Sequence, residues 1–135
     1  MTAIQCEQMI NYATGLIQEI AIALNLNVKV VFRNRLQSQH FFKPDENDLH
    51  VLIFGIRGME IGFRDGFLEY KRWGWLWGKW DITGIRSVWA LVIHEIAHAI
   101  QTENGERKYR SVHNLAWAQH VIELQERFPM KHGAI

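Results

Sequence analysis

The run from Val88 to Ile100 constrains this chain more than any other stretch. It is apolar enough to be the buried helix of a globular domain, yet it carries His94, Glu95 and His98. Side chains three and four residues apart share one face of a helix. His94 and His98 can therefore present two imidazoles to a single ion, with Glu95 beside them. Burying these three groups without partners would be costly, so the run is expected to be both a core helix and a metal-binding one. The pattern is HExxH, which places two zinc ligands and a general base on one turn.

The remaining segments can be read as a fold built around that helix. Cys6, Ile10, Ala13, Ile17, Ile20 and Leu24 recur at helical spacing, which predicts an amphipathic helix over residues 3–25. Asn25 and Asn27 punctuate its end, and a strand begins at Val28. A second strand is expected within Leu36 to Phe42, followed by a turn-forming loop from Lys43 to Asp48. Leu49 to Ile56 is nearly unbroken apolar sequence, as a central strand requires. Met59 to Arg64 alternates and reads as a half-exposed strand, with Asp65-Gly66 as a hairpin signal leading into Phe67 to Tyr70. Thr83 is the expected cap of a helix from about Ile85 to Thr102. Ser111 is the expected cap of a last helix over residues 112–128, which stops before Pro129. The expected fold class is α+β: an N-terminal helix, a small and mostly antiparallel sheet, the HExxH helix and a C-terminal helix. The expected organisation is one domain over residues 1–128 with a tail over 129–135.

The chain's 135 residues suit one core, and its 48 % apolar and 21 % charged content are those of a folded protein. A net charge of +1 gives no global electrostatic case for nucleic acid. The single cysteine, Cys6, permits neither an intramolecular disulfide nor a Cys-rich zinc ribbon. The first residues do not read as a signal peptide, and no apolar run reaches the length of a membrane span. The expected location is therefore cytoplasmic, with no membrane partner.

Between Tyr70 and Trp80 the chain interleaves Trp73, Trp75, Trp77 and Trp80 with two glycines and three basic residues. Such a stretch packs a strand or loop against the core, or contacts substrate. It also has the composition of a single-stranded DNA surface, where bases stack on aromatics and cations meet phosphates. Packing is the plainest of these readings, and Trp73, Trp75 and Trp77 are the candidate contacts if it does not hold.

A catalytic zinc site needs a third protein ligand and keeps its fourth position for water. Glu103, Glu106, His113, His120 and Glu123 follow His98. Glu103 and Glu106 lie close to the end of the same helix. His113 comes after a loop long enough to reverse the chain, so it can approach the ion from a second direction. His120 and Glu123 are the alternatives, and His120 can instead line the cleft as a hydrogen-bond donor.

His94-Glu95-Ile96-Ala97-His98-Ala99, a polar loop, then His113-Asn114 with Trp117 behind it, resembles the SprT-like (Spartan-type) zinc metalloproteases. The resemblance covers about residues 85–124 by motif, and Asn114 stands where that family commonly has glycine. It implies a zincin-like fold, one Zn2+ held by His94, His98 and His113, a protein or peptide substrate, and proteolysis associated with DNA. The parts imply the chemistry: a zinc ion polarises the carbonyl and acidifies a water, and Glu95 takes the proton and passes it to the leaving amine. Tyr109, Arg110 and His120 are the candidates for a second donor to the oxyanion. Two other readings share the same ligands: a noncatalytic zinc-containing module that binds a peptide or DNA, and a regulatory peptidase that cuts a single repressor-type substrate. The intact Glu95 argues against the first, since a purely structural site has no need of a base.

Overall fold

The computed structural model describes residues 2–66, 83–107 and 112–130, together with the backbone of residues 68–69 and 78–79. The first helix, α1 (Ala3–Leu24), starts at a capping box in which Thr2 and Gln5 each bond the other's backbone N–H. It stops at Asn25, whose left-handed backbone returns the cap N–H to the last turn. Met9, Ala13, Leu16, Ile17 and Ile20 form its buried stripe.

Three strands follow: β1 (Val28–Arg33), β2 (Gln39–Lys43) and β3 (Leu49–Gly55). The apolar run placed at the centre of the sheet is the central strand, with the order β1-β3-β2. The sheet is mixed rather than mostly antiparallel. β1 runs parallel to β3 from the Val28–His50 pair to the Arg33–Gly55 pair, and β2 runs antiparallel to it. The reason is topological. The short excursion that forms β2 reverses on one edge of β3, so β1 is left beside the other edge in the same direction as β3.

Residues Met59 to Arg64, expected as a strand, belong instead to a helix, α2 (Ile56–Asp65). Met59 and Gly62 are buried while Ile61, which alternation would place on the same face as Met59, is exposed. Glycine spacing explains the difference. A Cβ on Gly58 would collide with the Leu36 carbonyl, and Gly62 packs on the Ser87 side chain. These glycines are close-contact points of a helix rather than turn residues. The Asp65-Gly66 signal marks the helix end, with Gly66 at φ 96°. Beyond it, β4 (Leu68–Glu69) pairs antiparallel with β5 (Gly78–Lys79). The tryptophan stretch between Tyr70 and Trp80 otherwise lies outside the described residues.

The helix α3 (Ile85–Glu103) is the hub, packed against α1, α2, β2 and the last helix, α4 (Leu115–Arg127). Of its 19 residues 14 are buried, so it is covered on nearly every side, as its apolar run requires. Each fully buried Val or Ile here contributes roughly 1.5–3 kcal/mol of transfer free energy. The cap of α3 is Gly84, at φ 64°, rather than Thr83. The Gly84 N–H donates to the Phe63 carbonyl, which ties the start of α3 to α2. The last helix begins at Leu115, later than the expected 112, because the Asn114 side chain caps it by accepting from the Trp117 N–H. Ser111 lies outside the described residues. Phe128 ends α4 buried, its carbonyl accepting from the Trp89 indole. Among the described residues the architecture is four helices with a three-stranded mixed sheet, which is α+β as expected. No described helix is long and apolar enough to cross a membrane.

Candidate metal centre

One turn of α3 places His94 below His98, both buried, with their rings 5.0 Å apart. His113 sits just ahead of the Asn114 cap, where the chain has reversed out of α3 and has not yet entered α4. Its Nε2 lies 3.2 Å from the Nε2 of His98 and 3.2 Å from that of His94. The three nitrogens form one group able to hold a metal ion. The spacing itself is informative. Ligand nitrogens at about 2.0–2.1 Å from a tetrahedral zinc lie about 3.3 Å from one another. The two separations from His113 are close to that edge length, and the three imidazoles are positioned to hold a metal ion.

The ring orientations are fixed by hydrogen bonds behind the centre. Gln101 is fully buried. Its amide nitrogen donates to the Val112 carbonyl (2.7 Å) and to Asn114 Oδ1 (3.0 Å), which leaves Oε1 as an acceptor. The His98 Nδ1–H therefore donates to Gln101 Oε1 at 3.0 Å, and the His98 Nε2 lone pair is turned toward the centre. Asn114 also donates from Nδ2 to the Glu106 carbonyl. One glutamine and one asparagine thus tie a helix-borne ligand to the loop that carries His113. Trp117 forms the floor. Its ring is stacked on His98 and meets His94 and His113 edge-on, and its indole N–H donates to the His94 carbonyl.

Burial, the neighbouring His94 and His113 rings and the charge of Arg107 hold His98 neutral, with its pKa pushed down to about 2 against the help of Gln101. A neutral imidazole is the form that ligates metal. Glu95 is 4 % exposed, and its Oε1 stands 3.9 Å from His94 Nε2, beside the centre and too far for a direct hydrogen bond. Glu95 also lines two cavities. One, of about 290 Å³, is bounded by His40, Phe41, Arg107 and the three histidines. The other, of about 440 Å³, is lined by Leu36, Met59, Val88 and Leu91 together with His94 and Glu95. Residues Ser38 and Gln39, at the start of β2, border both.

The other ligand candidates are engaged elsewhere. Glu103 Oε1 accepts from His50 at 2.6 Å, and Glu106 Oε1 accepts from His120 at 2.8 Å. That bond from His120 holds the Glu106 carboxylate below its usual pKa. His120 Nδ1 is 3.9 Å from Glu123. Both residues border a third cavity, of about 880 Å³, behind α3, whose walls do not include the three histidines. Tyr109, Arg110, Trp73, Trp75 and Trp77 lie outside the described residues.

Sequence reading missed Gln101, His40, His50 and Arg107. Gln101 could have been suspected: a polar residue on the buried face of an otherwise apolar helix, three positions after His98, needs a partner. His40 and His50 carried no local signal, because their meeting depends on the β2–β3 register. His40 pairs with Leu52 and Phe42 pairs with His50, which puts both imidazoles on one face, stacked 5.0 Å apart. Comparisons with protein families, with curated proteins and with solved structures return no match to this chain.

Proposed function

We propose that the chain is a zinc-dependent metallopeptidase of SprT-like type, in which His94, His98 and His113 hold one Zn2+ and Glu95 is the general base. One observation carries this reading: the His113 Nε2 lies 3.2 Å from the Nε2 of both His94 and His98, close to the edge length of a tetrahedral site, beside a buried, intact glutamate. Three neutral nitrogens suit zinc, and three protein ligands leave a position open for chemistry, whereas structural zinc sites are usually closed by a fourth. When bound, the ion supplies Lewis acidity and a water of lowered pKa.

The residues of the chain supply the rest. A Glu95 carboxylate oxygen takes the proton of the attacking water as its oxygen bonds to the peptide carbon and the carbonyl electron pair moves onto oxygen. The same carboxylic acid then returns the proton to the amide nitrogen as the C–N bond breaks. β2 is an edge strand, pairing only with β3 among the described strands, and it borders both cavities beside Glu95. An extended peptide added to that edge would cross the centre. The cavity walled by Leu36, Met59, Val88 and Leu91 suits an apolar side chain next to the cleaved bond.

The test is proteolysis of an unfolded protein by the zinc-reconstituted chain, with and without single-stranded DNA. Cleavage that a chelator stops and added zinc restores is the expected result. Stimulation by DNA would support a DNA-associated role, and cleavage indifferent to DNA would favour a regulatory peptidase. Stoichiometric zinc with no hydrolysis of any protein would overturn the peptidase reading in favour of a binding module.

A further inference from the structure

Behind the smaller cavity runs a chain of four side chains that the reaction above does not use. The Arg107 Nη1–H donates to His40 Nδ1 at 2.9 Å, His40 Nε2 contacts His50 Nδ1 at 2.8 Å, and His50 Nε2 contacts Glu103 Oε1 at 2.6 Å. Guanidinium can only donate and carboxylate only accepts, so the direction of every bond is determined. His40 must accept at Nδ1 and donate at Nε2, and His50 must do the same. His50 is fully buried and His40 is 6 % exposed. Phe42 stacks on His50 from the adjacent strand at 4.8 Å. Burial, the adjacent His50 and the Arg107 charge push the His40 pKa down to about 3, which keeps the His40 ring neutral beside the guanidinium.

Such a chain gives a surface arginine a fixed address. Its side chain would otherwise sample many rotamers, yet one guanidinium nitrogen is held by a strand-borne histidine at the wall of the cavity that contains the three metal-binding histidines. Among the described residues, His40 is the one hydrogen-bond partner of Arg107.

We infer that Arg107 is the second donor to the oxyanion formed when water adds to the substrate carbonyl, and that His40, His50 and Glu103 are positioning residues that aim it. The assignment rests on the peptidase reading for its substrate, but not for its anion site. A donor fixed before the charge develops is worth far more than one that must be ordered during the reaction. Lysine would not replace it, because a point charge on a flexible stem cannot keep one hydrogen bond to His40 while offering another to the oxyanion.

The test compares zinc-loaded wild type, R107A, R107K and E103A by peptide kinetics and by calorimetric titration with a phosphinic dipeptide, a tetrahedral anion that imitates the addition product. Zinc content should be equal in all four. R107A should lose roughly 100-fold in kcat with little change in KM, and its affinity for the phosphinate should fall by about the same factor. R107K should resemble R107A, and E103A should show a smaller loss of the same kind. Phosphinate affinity unchanged in R107A at equal zinc content would overturn the assignment, as would a loss confined to KM or a wild type that does not bind the phosphinate. If the wild type binds the phosphinate but cleaves no peptide, the peptidase reading fails, and the R107A affinity still decides the role of Arg107.

Discussion

At the scale of single residues, the three clustered histidines are held by polar side chains that stand behind them. Gln101 makes three hydrogen bonds while fully buried, and each fixes something different: the tautomer of His98, the carbonyl of Val112 next to His113, and the cap Asn114. Partners behind a ligand commonly govern metal affinity by 10–100-fold. Replacing Gln101 with leucine keeps most of the volume but leaves the His98 Nδ1–H and the Val112 carbonyl without their partner. Zinc affinity of Q101L, measured by competition with a chromophoric chelator, is expected to drop by about one to two orders of magnitude while the helices are retained. Unchanged affinity would mean that the His98 ring is held by its contact with Trp117 alone. Asn114 belongs to the same network. Glycine, which the SprT-like pattern favours at this position, could not accept from both Gln101 and the Trp117 N–H, nor donate to the Glu106 carbonyl.

At the scale of elements, α2 shapes one side of the cleft through its glycines. Gly58 lies against the Leu36 carbonyl, and Gly62 against Ser87 of α3, which brings Met59 and Leu36 to the wall of the apolar cavity. A methyl group at Gly58 has no space, so G58A should destabilise the fold by about 1–3 kcal/mol, the cost of overpacking, as a shift in the urea midpoint. An unchanged midpoint would show that the segment between β1 and β2, which carries Leu36, can retreat. The same element marks the limit of what periodicity could reveal. α1, β3 and α3 were legible because each buries a stripe, a run or a whole surface of apolar side chains. Residues 59–64 alternate as a strand would and read as one, and the close approach of the Leu36 backbone to Gly58, which belongs to the tertiary structure, is what the alternation does not show. The His94–Glu95–His98 turn was legible because helix geometry alone brings those groups together. His113 needed a chain reversal, and its metal-facing position was reachable from loop length. The Arg107–His40–His50–Glu103 chain was invisible, because it joins β2, β3, the end of α3 and the loop after it through strand register.

At the scale of the whole molecule, a single buried helix is the hub of the core and carries His94, Glu95 and His98. α1, α2 and α4 cover the apolar faces of α3, and β2 lies beside its remaining face. The two histidines and the glutamate emerge where α3, β2 and the loop before α4 leave the paired cavities. In the proposed mechanism, holding the ion falls to His94, His98 and His113, and moving the proton falls to Glu95 alone. That separation is the central claim, and substitution of Glu95 by glutamine tests it most directly. Glutamine keeps the shape and hydrogen-bonding capacity of the side chain but cannot serve as the base. Zinc content by elemental analysis and turnover of an unfolded protein should be measured on the same E95Q preparation. The account predicts zinc at the wild-type level with turnover reduced by about 10²–10⁴-fold. Turnover equal to wild type at equal zinc would contradict it.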